Sequence, residues 1–198
     1  FLFRRNVLFF CLIFVQKSTV PVGTGMHLQE SMKTSPHTIS YVSNPEFLRE
    51  GCALVDSIWP DRVVVGSDDD VASTQILNLY KEVIKKQGEL ARMVDVEHSA
   101  SEPEWIKTGL NSAELIKVSA NAFLAMKISF ANSIAKLSDK SGADISEVTN
   151  AIGADPRIGK AFLSAGRGYG GGCFPKDVSG LISSGLNYGI DLKIMHAV

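Results

Sequence analysis

NSAELIKVSANAFLAMKISFANSIAKLSDKS, residues 111–141, divides the chain into two kinds of architecture. Asn111 and Glu114 have the spacing of a capping box. Apolar residues then recur with helical period from Leu115 through Phe123, Met126, Phe130, Ile134 and Leu137, until Gly142 stops the pattern. About 30 residues of helix extend roughly 43 Å, more than a small core demands. A helix that is also apolar on more than one side belongs between domains or subunits. Lys117 and Asn121 lie one turn apart on it. An amine and an amide on a rigid helix can polarise a developing oxyanion; a lysine with its stem on apolar surface and its head in water reads the same way.

Upstream of this helix the pattern is α/β. Val7 to Val15 is a β-branched and aromatic run that suits a strand buried on both faces, with Phe1 to Asn6 irregular before it. Nine apolar residues are too few to span a bilayer, and the run lacks the cleavage site of a signal peptide. Ser18, Thr19 and Val20 follow this strand, where an open α/β sheet places ligands; a plain polar turn is the alternative. His27 to Lys33 reads as a short helix, and Thr38 to Val42 and Asp61 to Gly66 as strands. Between those strands, SNPEFLREG at 43–51 has the grammar of one helical turn. Asn44 caps it, Pro45 takes the first position and Gly51 closes it, so that Glu46 and Glu50 share a face, either as solvated surface carboxylates or as a site. Val71 to Gln87 is an amphipathic helix ending at Gly88. Glu89 to Gly109 loses periodicity and reads as a connection and domain boundary.

Downstream the pattern is helical. Asp144 and Glu147 open a short helix running to Ile152, and Asp177 to Gly189 form another. Between them lies RGYGGGCFPKD, residues 167–177, where four glycines in five residues precede Cys173. Such a glycine run allows close approach of backbone to a ligand. A thiol there is a candidate nucleophile, and Lys176 beside it favours the thiolate; a buried, inert cysteine next to a turn is the alternative.

Composition narrows the classes. In 198 residues, 45% hydrophobic and 21% charged residues describe an ordinary globular chain, and a net charge of −1 offers no electrostatic reason to bind nucleic acid or an anionic membrane. Cys11, Cys52 and Cys173 are odd in number and widely spaced, which suggests neither a disulfide framework nor a metal site and suits a reducing, cytoplasmic compartment.

Five ordered stretches, Lys17 to Thr24, Asn44 to Gly51, Pro60 to Gly66, Ala113 to Asp139 and Arg157 to Val178, resemble the UDP-glucose/GDP-mannose dehydrogenase family. The resemblance covers most of residues 16–192 and fades over Glu89 to Gly109, where the family carries a strand. It implies the C-terminal part of a Rossmann-like parallel-sheet domain, then a long central helix and a helical dimerisation domain. Residues 1–110 would be a partial NAD-binding domain, and residues 111–198 the central domain with the cysteine loop.

The implied reaction is a four-electron oxidation of a nucleotide sugar at C6, with two NAD reduced; UDP-glucose is the favoured UDP-sugar and GDP-mannose the alternative. By resemblance, Cys173 would form a thiohemiacetal and then a thioester. Lys117 and Asn121 would stabilise oxyanions, Asp177 and Thr19 would handle water and protons, and Glu46 would be the hydrolytic base. Ser18, Thr19, Val20, Glu50, Cys173 and Lys176 fall where the family meets NAD. Glu46, Phe47, Leu48, Lys117, Asn121, Arg157, Ser164, Tyr169 and Gly170 fall where it meets the sugar nucleotide. The family's homodimer would form through the long helix at 113–141.

Two departures stand out. No GxGxxG turn follows a strand in this sequence, which implies an internal fragment, and Gly172 stands where the family commonly has serine. A two-electron hydroxyacid dehydrogenase could share Lys117 and Asn121 but has no use for Cys173; a catalytically dead dimerising fragment is the reading from another class.

Overall fold

The computed structural model describes residues 11–94 and 102–198. The readings of Phe1 to Asn6 and of Val7 to Phe10 lie outside the described residues. Contacts divide the chain into two compact units, Phe1–Lys117 and Val118–Val198.

The first unit is a four-stranded sheet with helices. Its elements are β1 (Cys11–Gln16), α1 (Thr24–Met32), β2 (Thr38–Ser43), α2 (Ala53–Ile58), β3 (Arg62–Gly66), α3 (Asp70–Lys85), α4 (Gln87–Met93), β4 (Glu104–Thr108) and the start of α5 (Leu110–Ser141). Sheet order is β1-β2-β3-β4. Val42, Val63, Val65, Ala72 and Ile76 make the core, with Ile13, Val15, Leu77, Tyr80 and Trp105 packed around them. β-branched residues on the strands and the apolar stripe of α3 face each other, as their periods require. Asp69 caps α3, its carboxylate accepting from the amides of Val71 and Ala72.

Several local expectations change. The sheet is mixed: β1/β2 and β3/β4 are parallel, but β2 meets β3 antiparallel where Ser43 faces Gly66. Antiparallel neighbours need no crossover helix over the sheet, and the connection carries only the six-residue α2. The helical turn expected at 43–51 does not form. The Asn44 amide extends the strand ladder by donating to Gln16 O at 2.9 Å, and its buried side chain donates to Val64 O at 2.7 Å. An asparagine engaged on both counts does not cap a helix, so 44–49 run without regular structure and α2 begins beyond Gly51. Glu46 and Glu50 therefore share no helix face.

Glu89 to Gly109 is more than a connection, since it contains most of α4 and all of β4, whose Arg62↔Glu104 to Gly66↔Thr108 register completes the sheet edge. Asn111 and Glu114 form no capping box: α5 starts at Leu110, and Glu114 bonds elsewhere.

The second unit is all-helical. It consists of the rest of α5, then α6 (Ile145–Gly153), α7 (Phe174–Asn187) and α8 (Lys193–His196). Asp144 caps α6 through the amides of Ser146 and Glu147, as its position suggested. Val118, Ala122 and Ala125 of α5 pack on Val178 and Leu181 of α7.

Candidate functional site

In the first unit, the exits of β2 and β3 meet the opening turns of α5. At the end of β3, a Cβ on Gly66 would lie 2.5 Å from that of Ala113, so only glycine permits the contact. At the exit of β2, Glu46 Oε1 lies 3.5 Å from Lys117 Nζ. Lys117 is 5% exposed, which excludes the snorkelling alternative. A buried ammonium is costly unless paired, and the half-buried Glu46 is its partner. Phe47 adds an aromatic face, with Lys117 Nζ 5.2 Å and the Arg62 guanidinium 3.9 Å from its ring centre.

Of these side chains, Glu46, Phe47 and Arg62 border a cleft of about 200 Å³, also lined by Lys17, Asn44, Leu48 and Tyr80. Lys17 Nζ donates to Asn44 Oδ1 at 2.8 Å and to Tyr80 Oη at 2.5 Å, and Tyr80 Oη donates to Asn44 Oδ1 at 2.8 Å. Sequence reasoning missed Lys17, Tyr80 and Arg62, because their partners lie on other elements. Thr19 and Val20 are half-buried and Ser18 exposed in the turn after β1. Glu50 is exposed in the turn before α2.

Glu114, three residues before Lys117, accepts from the amides of Gly23 and Gly25, each at 2.7 Å. Burial raises its pKa, while the amides of Gly23, Gly25 and Thr24 pull it down. Tyr41 packs against the same glycine; burial first, then the Glu114 charge, pushes its hydroxyl up to about 12.

In the second unit, Cys173 is the N-cap residue of α7, exposed, and its side chain makes no capping bond. Pro175 sits in the first turn of that helix, where its missing N–H costs nothing. Gly168 and Gly171 have φ of 103° and 76°, the backbone freedom expected of the loop. One turn on, Asp177 is 2% exposed and accepts from Asn121 Nδ2 at 2.6 Å and Lys176 Nζ at 2.8 Å. The apolar cluster that α5 shares with α7 brings Asn121 and Asp177 together, while Lys176 pairs with Asp177. Tyr169 meets Phe174 edge-on with ring centres 6.2 Å apart. Arg157 is bidentate to Asp155, and Ser164 and Gly170 are exposed.

The chemistry available is thus a free thiol at a helix start, a buried amide–carboxylate pair, and a buried lysine paired with a half-buried carboxylate that borders a cleft. Among the described residues no helix is long and apolar enough to cross a membrane.

Residues 9–84 match the NAD binding domain of the UDP-glucose/GDP-mannose dehydrogenase family, and residues 111–198 match its central domain. The chain is 42% identical over 189 residues to UDP-glucose 6-dehydrogenase TuaD of Bacillus subtilis (strain 168), covering 94% of this chain and 37% of that protein. It is 40% identical over 188 residues to UDP-glucose 6-dehydrogenase of Rickettsia typhi, covering 95% and 40%. Among solved structures it resembles a UDP-glucose dehydrogenase from Pyrobaculum islandicum, with a TM-score of 0.81 and 37% identity over 94% of this chain and 40% of that one. A UDP-D-ManNAc dehydrogenase from Pyrococcus horikoshii, at 22% identity and a TM-score of 0.73 over 91% and 39%, shares the fold. The chain spans about 40% of the length of the curated relatives it matches.

Proposed function

Since the chain belongs to the UDP-glucose/GDP-mannose dehydrogenase family, we propose that it supplies the acyl-transfer and oxyanion machinery of an NAD-dependent oxidation of UDP-glucose to UDP-glucuronate. The observation that carries this reading is the buried Lys117 paired with Glu46 beside a cleft, an ion pair that a structural helix surface has no reason to bury. The relatives named for UDP-glucose at 42% and 40% identity favour that substrate over GDP-mannose.

NAD, when bound, would supply the hydride acceptor for each of two oxidations at C6. The residues fit part of such a site: the Thr19 turn, with Ser18 and Val20, lies at the carboxyl end of a parallel strand, where α/β sheets bind ligands. The N-terminus of α1 is not a phosphate cradle, because Glu114 already occupies the amides of Gly23 and Gly25. Glu50, Cys173 and Lys176 complete the proposed NAD contacts.

Oxidation of the C6 alcohol leaves an aldehyde. Cys173 Sγ adds to its carbon and the oxygen takes a proton, forming a thiohemiacetal. Loss of the second hydride and the hydroxyl proton leaves a thioester. Water, deprotonated by Glu46, adds to the thioester carbon, and the C–S bond breaks to release the carboxylate and the thiolate. Lys117 and Asn121 stabilise the oxyanions, and Asp177 and Thr19 orient water and move protons. Phe47, Leu48, Arg157, Ser164, Tyr169 and Gly170 hold the sugar nucleotide.

In domain terms, residues 1–110 serve the NAD-binding part and residues 111–198 the central part, acting as a homodimer in the cytoplasm. Phe123, Phe130 and Leu137 support the dimer: they are spaced by sevens on α5 and exposed. The test is a full-length assay with UDP-glucose and NAD. Wild type is expected to form two NADH per uronate, and Cys173→Ala to form no acid while keeping its fold, because the thiol is exposed and caps nothing. Undiminished uronate from Cys173→Ala ends the thioester mechanism.

A further inference from the structure

We propose that Glu114 is a positioning residue, a clasp that holds the Thr19 turn against α5 at the level of Lys117. The inference rests on the reading of Thr19 and Lys117 given above. It begins with an omission in α1, whose N-cap is Gly23 and which has no side-chain cap of its own. A helix start leaves amides without partners, and here α5 supplies the acceptor. Glu114 Oε2 takes the Gly23 amide and Oε1 the Gly25 amide, both at 2.7 Å, with Glu114 only 2% exposed.

Gly25 is shaped to the clasp. A Cβ there would stand 2.9 Å from Glu114 Oε1 and 2.7 Å from the Tyr41 ring. The opposite end of the turn is anchored separately, by Lys17 on Asn44 Oδ1. Within it, Pro21 O accepts both the amide and the hydroxyl of Thr24, at 3.2 and 2.6 Å. Thr19 is therefore suspended between two fixed points. Glu114 and Lys117, three apart on one helix face, tie that turn and the Glu46 segment to the same rigid element. A carboxylate used only as a cap would stabilise the fold; this one also sets where Thr19 stands relative to Lys117.

The experiment uses the full-length chain with Glu114→Gln, which keeps the shape but turns an NH₂ toward one of the two amides. Hydrogen exchange of peptides covering 17–25 reads the clasp, and kcat with UDP-glucose and NAD reads the positioning. Ile76→Val, a core substitution on α3, controls for lost stability. Expected are faster exchange at 17–25 and a kcat at least about tenfold lower, since small misplacements of reacting groups carry large rate costs, at a melting temperature no lower than that of Ile76→Val. If Glu114→Gln does not fold, Glu114→Asp retracts the oxygens by one carbon and is expected to show the same two changes. Exchange and kcat equal to wild type in the variant that folds overturn the clasp, as does a kcat loss no greater than that of Ile76→Val. A wild-type enzyme making no NADH sinks the dehydrogenase reading and the positioning role with it. An active wild type with an unaffected Glu114 variant sinks the clasp alone.

Discussion

Lys117 is the residue on which the proposed chemistry turns, because its environment separates a working amine from a surface one. Its ammonium is buried, 3.5 Å from Glu46 Oε1 and over the Phe47 ring. Replacing it with methionine keeps the buried stem while deleting the charge, so Lys117→Met is expected to fold and to lose roughly 100- to 1,000-fold in turnover, the size of effect seen when one oxyanion donor is removed. Steady-state kinetics on the full-length enzyme check this. Turnover within threefold of wild type would return Lys117 to a structural role. The neighbouring Asn121 works through a different partner, donating to Asp177 at 2.6 Å, so the two side chains, one turn apart on α5, orient different carboxylates.

Among the elements, α3 offers a test that separates fold from chemistry. Its N-cap Asp69 accepts from two helix amides and from Ser40 Oγ at 2.5 Å. The Ser40 hydrogen bond and then the Ala72 amide hold its pKa below the ordinary carboxylate value. A depressed folded pKa contributes stability above the unfolded value of about 3.9, and that contribution is lost as pH falls through the folded value. Asp69→Ala is expected to cost about 1 kcal/mol in urea unfolding at pH 7, within the usual range for a lost cap. The gap from wild type should close below about pH 4. A difference that persists unchanged at pH 2 would mean that packing, not the charged cap, is responsible.

Across the whole molecule the exposed face of α5 predicts association. Phe123, Phe130 and Leu137 are 56%, 50% and 64% exposed, and their spacing by sevens places them along one seam. Phe130→Glu is expected to shift the full-length protein from dimer toward monomer on sizing with light scattering, because two copies would bring that charge into an apolar seam. A dimer of unchanged stability would exclude this face as the contact.

The long helix, the first three strands and the hydroxyl turn after β1 were legible in the sequence because each rests on local periodicity and punctuation. Gly142, at φ 78°, ends α5 where the apolar period stops, and Asp144 caps α6 where its spacing said it would. The cysteine loop was legible too, since glycines and a thiol together are a compositional signal. Tertiary structure alone decided the rest. Asn44 to Gly51 has every local mark of a capped helix, yet Asn44 is drawn instead to Gln16 O, Val64 O and Lys17. Glu114 has the spacing of a capping box for its own helix, yet it caps α1, 91 and 89 residues away in sequence from the amides it binds. The antiparallel meeting of β2 with β3 and the addition of β4 are pairings between distant segments. Local pattern reports what a segment prefers by itself; a buried polar group takes the partner that folding brings to it, because leaving it unpaired costs more than a local preference is worth.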